Sequence, residues 1–197
     1  MNYKMMGKFI SQILFVEAAF MLPALLLSIV YGEQSAVRGF IGAIIITLII
    51  AAIMYVLCRN AVKRFYAREG LVCVGMSWIA LSIMGCLPFF ISREIPDFLD
   101  ALFEIVSGFT TTGSSILTDV EALSHGLLYW RSFSHWLGGM GVLVFLLAVV
   151  TRDRGGSGFT MHILRAESPG PNVGKLVPKM HTTARILYVI YVLLTII

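Results

Sequence analysis

The stretch FLDALFEIVSGFTTTGSS, residues 98–115, decides how the rest of the chain is read. Residues 98–109 are mostly apolar. Phe98, Leu99, Leu102, Phe103, Ile105, Val106 and Phe109 make a broad helical face, and Asp100 and Glu104 interrupt the run. Pro96-Asp97 ahead of it reads as a helix start with Asp97 as N-cap. The run is too short to cross a bilayer, whose core of ~30 Å takes about 20 apolar residues, and segments of about 10–14 suit a re-entrant or interfacial element. Thr110-Thr111-Thr112-Gly113-Ser114-Ser115 then stops the helix, because three β-branched residues before a glycine favour extended backbone.

Outward from this stretch the sequence is that of a membrane protein. Of 197 residues 58% are hydrophobic and 13% charged, against about 25% charged in ordinary soluble domains. A small domain leaves too much surface to hide such a composition from water. A soluble enzyme, a disordered chain and a disulfide-stapled secreted module are thereby excluded. Residues 9–30 (broken by Glu17), 39–58, 70–92 (with Pro88 near the end) and 132–150 (carrying His135) are four apolar spans, and 186–197 is a fifth that stops short. The first run is a retained helix, since no cleavage pattern accompanies it. The expected fold is an all-α membrane protein with a re-entrant pore helix and filter loop. Its parts are two leading spans in 1–69, a helix–pore loop–helix unit in 70–151, a loop in 152–185 and the start of a second unit in 186–197. Twelve residues of helix rise only ~18 Å, so the chain is expected to be a fragment or a truncated product that does not conduct unless copies assemble.

Charge fixes the orientation. With the N-terminus in the cytoplasm, the inner side holds Lys4, Lys8, Arg59, Lys63, Arg64, Arg68, Arg152, Arg154, Arg165, Lys175, Lys179 and Arg185, and the outer side only Arg38, Arg93 and Arg131. This satisfies the positive-inside rule. Residues 98–115 must then enter and leave on the outer side, so length and charge agree on re-entrance.

Irregular backbone at membrane depth survives only where protein or a watery cavity satisfies it. A short helix, a Thr-rich strand and a glycine are the parts of an ion selectivity filter. The helix would aim its partly negative C-terminal end into the membrane, which favours a cation. Carbonyls of Thr110–Thr112 would replace a cation's hydration shell, and Gly113 allows the backbone angle that aligns them. Glu94, Asp97, Asp100, Asp119 and Glu121 would concentrate cations at the outer mouth. The competing reading is a polar turn capping an interfacial helix. The return topology and the acidic mouth favour the filter.

Ser107-Gly108-Phe109-Thr110-Thr111-Thr112-Gly113-Ser114-Ser115, followed by Trp130-Arg131-Ser132-Phe133-Ser134-His135-Trp136-Leu137-Gly138-Gly139-Met140-Gly141, resembles the first pore repeat of the TrkH/KtrB superfamily of potassium transporters. Arg165-Ala166-Glu167-Ser168-Pro169-Gly170-Pro171, Thr183-Ala184 and Ile190-Tyr191-Val192-Leu193-Leu194-Thr195 resemble the approach to the second repeat. The resemblance implies four such repeats around one pore, each giving one filter strand. It places potassium at Thr111 and Thr112, with Thr110, Gly113 and Ser114 completing the strand. The strand departs from the potassium-channel TVGYG pattern by keeping only the first glycine, which leaves its outer part less constrained. The implied function is potassium uptake by the pore-forming subunit of a Trk-type system in the inner or plasma membrane. No cofactor and no nucleic acid are expected. The expected partners are the lipid bilayer, a second copy of the longer chain and a TrkA-like ring of nucleotide-binding regulatory subunits beside the basic loop 152–185.

Two other classes compete. A secondary transporter coupled to protons or sodium would use the same re-entrant loop as its substrate site, but no strong buried proton relay is evident. Gly155-Gly156-Ser157-Gly158 with His135 could suggest an intramembrane serine protease. The topology puts most of the bilayer between them, and a flexible linker explains the glycines, so no enzyme is expected. Cys58, Cys73 and Cys86 lack metal or redox spacing and read as small apolar residues. His125, His135, His162 and His181 share no ligand spacing. Gly138-Gly139 and Gly141 suit close packing against the short helix. Trp130 and Arg131 read as interface anchors. Glu17 is either functional or a snorkelling or packing residue, and Glu104 is expected to hydrogen-bond neighbouring loops.

Overall fold

The computed structural model describes residues 3–59, 67–140, 186 and 189–195. These are helical throughout their main elements: α1 (Tyr3–Val30), α2 (Gln34–Leu57), α3 (Ala67–Gly85), α4 (Leu87–Ser92), α5 (Phe98–Phe109) and α6 (His125–Met140). Among the described residues, three stretches, Tyr3–Val30, Gln34–Leu57 and Val72–Ser92, are long and apolar enough to cross a membrane. Leu26, Ile45, Ile49, Ile53 and Val56 project outward from α1 and α2, where water would penalise them and lipid does not. Pro23 sits inside α1, a position that membrane helices tolerate. Helix α1 runs beside α2 and also meets α3 and α6, and α5 lies against α6 and α3. Trp130, Phe40, Phe89, Ile13 and Met21 fill the space between.

The third apolar run, read as one span over 70–92, is two helices. Pro88 occupies the first turn of α4, where its missing N–H leaves no bond unmade. The carbonyl of Gly85 at the break accepts the indole N–H of Trp130 at 2.9 Å. Trp130 is fully buried, so it staples α6 to this break and is no interface anchor. The fourth run starts earlier than expected, at His125, and its part from residue 141 onward lies outside the described residues. So do the loop 152–185 and Ser157. Residue 186 and residues 189–195 are helical. There the Tyr191 hydroxyl donates to the carbonyl of Trp136 at 2.9 Å.

Glu17 does not snorkel. It is 2% exposed, and neither carboxylate oxygen finds a hydrogen-bond partner among the described residues. It lies under α5, close to Gly85, which also packs on Ile105 and Phe109.

Candidate functional site: the loop after the short helix

Helix α5 occupies the expected residues, Phe98–Phe109. Its start is fixed as Asp97 predicts: the carboxylate accepts the backbone N–H of Leu99 at 2.7 Å and of Asp100 at 3.3 Å. Its end is not the extended strand expected from three threonines. Thr110 stays near helical geometry (φ −85°, ψ 1°) and Thr111 turns left-handed (φ 55°). The N–H of Thr111 bonds the carbonyl of Gly108, and that of Thr112 the carbonyl of Ser107, both at 2.9 Å. This is a Schellman closure. The same closure ends α1, where Gly32 (φ 72°) takes the left-handed position. In α5 a threonine takes it. A β-branched residue there is an outlier that stores about 1–3 kcal/mol of strain, a feature that clusters at functional sites.

The consequence is a short bridge of backbone between two anchors. On the near side lie the Schellman bonds. On the far side the Ser107 hydroxyl donates to the carbonyl of Ser114, and the Ser115 hydroxyl and Ile116 N–H donate to Glu104, the latter at 3.2 Å. Between them the carbonyls of Thr111, Thr112 and Gly113 accept no hydrogen bond among the described residues. Residues 110–114 are exposed. Gly113 has φ 76°, and a Cβ there would meet nothing within 4 Å. The threonine hydroxyls are spent locally. Thr110 Oγ1 contacts the Val106 carbonyl and Thr112 Oγ1, each at 2.8 Å, and Thr111 donates to the Thr110 carbonyl at 2.7 Å. Unbonded backbone oxygens, rather than hydroxyls, are therefore what this loop offers a cation.

The loop rests on α6 through glycines, as the Gly138 pattern suggests. A side chain at Gly138 would overlap the carbonyl of Phe109, and one at Gly108 would overlap the Ser134 hydroxyl. Arg131, read as an interface anchor, instead pairs with Glu104. Of the five acidic residues assigned to the outer mouth, three are engaged in holding loops. Glu94 accepts from Ser124 N–H at 2.8 Å, Asp97 caps α5, and Asp119 accepts from Glu121 N–H at 3.0 Å. Asp100 and Glu121 are exposed, and neither side chain has a partner among the described residues.

Glu33 is a residue that sequence reasoning missed. From the α1–α2 turn it accepts the N–H of His125 (2.7 Å), the N–H of Gly126 (3.2 Å) and His125 Nδ1–H (2.7 Å), so it caps α6 from 92 residues away. Tyr31 stacks on the His125 ring at 4.0 Å. Partial burial alone would push the Glu33 carboxyl up. The His125 and Gly126 donors and the His125 charge outweigh it and hold the group below its usual range. No local pattern announces a cap supplied from another helix pair.

Among the described residues, three apolar helical stretches of membrane length and a short helix followed by exposed, unbonded carbonyls define a helical membrane protein. The chain belongs to the TrkH family of cation transport proteins, whose profile matches residues 37–197. It is 33% identical over 199 residues to the Trk system potassium uptake protein TrkH of Halomonas elongata, covering all of this chain and 40% of that protein. It is 35% identical over 177 residues to the Trk system potassium uptake protein TrkG of Escherichia coli, covering 88% and 36%. The crystal structure of the potassium transporter TrkH from Vibrio parahaemolyticus superposes with a TM-score of 0.77 at 27% identity, over all of this chain and 38% of that one. The chain thus spans about 40% of the length of these relatives.

Proposed function

We propose that this chain supplies one strand of a potassium filter, residues Thr110–Ser114, to the pore-forming subunit of a Trk-type uptake system. The observation that carries the reading is the run of three carbonyls, at Thr111, Thr112 and Gly113, left unbonded among the described residues immediately after the strained end of α5. Carbonyl oxygens of this kind replace a cation's water shell, and the negative end of the α5 dipole lies beside them. The likeness to potassium uptake proteins supports potassium as the ion. In this reading α5 enters and leaves the membrane on the outer side, and the N-terminus faces the cytoplasm of a cell whose inner or plasma membrane holds the protein. The basic loop 152–185 faces a nucleotide-binding regulatory subunit of the TrkA kind, the intact transporter pairs with a second copy, and the chain performs no catalysis. Asp100 and Glu121, exposed and without a side-chain partner among the described residues, draw cations to the outer mouth.

The test is ion competition. The intact transporter that contains this sequence is reconstituted in liposomes and its uptake of rubidium measured against added potassium or sodium. Potassium is expected to suppress rubidium uptake at concentrations where sodium does not. Equal suppression by both ions contradicts the reading. Flux that runs only with a proton or sodium gradient of matching sign would favour the coupled transporter instead.

A further inference from the structure

Glu104 brings a carboxylate into a site with no exposed side-chain surface. Three donors from two segments converge on it. The Ser115 hydroxyl stands 3.0 Å from both oxygens, the Ile116 N–H 3.2 Å from Oε2, and Arg131 Nε bonds Oε1. Helix α5 carries the acceptor, the returning segment carries Ser115 and Ile116, and α6 carries Arg131, whose side chain is 15% exposed. Ser115 extends the network by accepting the N–H of Leu117 at 3.1 Å.

A buried ion pair is a poor source of net stability, because desolvation of both charges offsets their attraction, and apolar residues of similar shape often serve better. What such a pair supplies is direction. Each bond here has a fixed donor, so sliding the returning segment by one residue would break the Ser115 and Ile116 bonds together and leave a buried charge short of partners. Only Ser114 separates this anchor from Gly113. The near side of the bridge is already fixed by the Schellman bonds to Ser107 and Gly108. The position of the Thr111, Thr112 and Gly113 carbonyls therefore depends on both ends being held.

We propose that Glu104, locked by Arg131, is a positioning residue that sets the register of the filter strand, so that ion discrimination depends on a pair that touches no ion. This rests on the assignment of residues 110–114 to a potassium filter. Glu104→Gln keeps the shape and one carbonyl acceptor but removes the charge that Arg131 requires. In the rubidium competition assay on the intact transporter, this variant is expected to lose about tenfold in preference for potassium over sodium. That is the low end for groups that hold ion ligands in place. Ser115→Ala removes the hydroxyl link and leaves the ion pair, and it should lose about tenfold, the low end for one hydrogen bond to a charged group.

The readout is the ratio between ions at matched protein amount, which a purely structural role would not move. An unchanged ratio in folded Glu104→Gln overturns the proposal. If that variant fails to reach the membrane, the Ser115→Ala ratio decides, a fall supporting the proposal and no change overturning it. Substitution at Gly113 separates the two readings. A ratio that moves with Gly113 but with neither Glu104 nor Ser115 sinks the positioning role alone. A ratio that moves with none of them, or a wild-type protein without preference, sinks the filter as well.

Discussion

Gly138→Ala in the intact transporter is expected to prevent accumulation of folded protein. A Cβ at this position would run into the carbonyl oxygen and carbon of Phe109 and approach the carbonyl of Gly108. All three atoms are backbone at the end of α5, and none can rotate away. Either α6 or the loop after α5 must move, and overpacking of this kind costs typically 1–3 kcal/mol, more when backbone is displaced. A loss of ~3 kcal/mol would reduce the folded-to-unfolded ratio by roughly a hundredfold. Two controls separate the clash from the loss of glycine itself. At Gly75 a Cβ meets nothing within 4 Å, so Gly75→Ala should stabilise α3 by up to about 1 kcal/mol through helix propensity. At Gly139 the obstacle is the far end of the Tyr191 side chain, which can swing aside, so Gly139→Ala should lie between the two. Detergent-solubilised yield and melting temperature of the three variants check this. Equal behaviour of Gly138→Ala and Gly75→Ala would show that α5 does not rest on α6 as described.

Gly113→Val is expected to leave the protein in the membrane and to remove most of its preference for potassium. Within the described residues the site has room, so no steric barrier to folding arises. The penalty is conformational. The backbone sits at φ 76°, where a β-branched residue is strained and where an ordinary L-residue costs about 1–2 kcal/mol. Relaxing that strain rotates the peptide units that carry the Thr112 and Gly113 carbonyls. A cost of about 1.4 kcal/mol corresponds to a tenfold change in an equilibrium, so a loss of roughly tenfold in discrimination is the expected scale. Gly113→Asn gives the comparison. Asparagine tolerates left-handed backbone and is similar in bulk to valine, so it should retain more of the preference. Valine and asparagine behaving alike would mean that side-chain bulk, and not backbone angle, decides the effect.

Much of this was legible from residues alone. Length and the Asp97 cap mark both ends of the short helix, and the structure places α5 at the same residues, Phe98–Phe109. The glycines at 138 and 139 announce close packing because small residues admit neighbouring backbone. The conformation of Thr110–Thr112 was not legible. β-Branched residues favour extended backbone on their own, yet here two main-chain bonds to Ser107 and Gly108 and the hydroxyl contacts of Thr110 and Thr111 override that preference. Glu17 shows a different gap: position along a helix gives depth, but only the packing of α3 and α5 around it shows that it is enclosed. The Glu104–Arg131 pair and the Glu33 cap join residues 27 and 92 positions apart, and no periodicity or local motif encodes such meetings.

The central claim is that the backbone oxygens of Thr111, Thr112 and Gly113 receive a dehydrated cation. Anomalous diffraction from crystals of the intact transporter, grown in rubidium and separately in sodium, tests it most directly. The account predicts a rubidium peak within coordinating distance of these carbonyls, absent or displaced in the sodium crystals. Rubidium density elsewhere in the protein, with none at these oxygens, would contradict it.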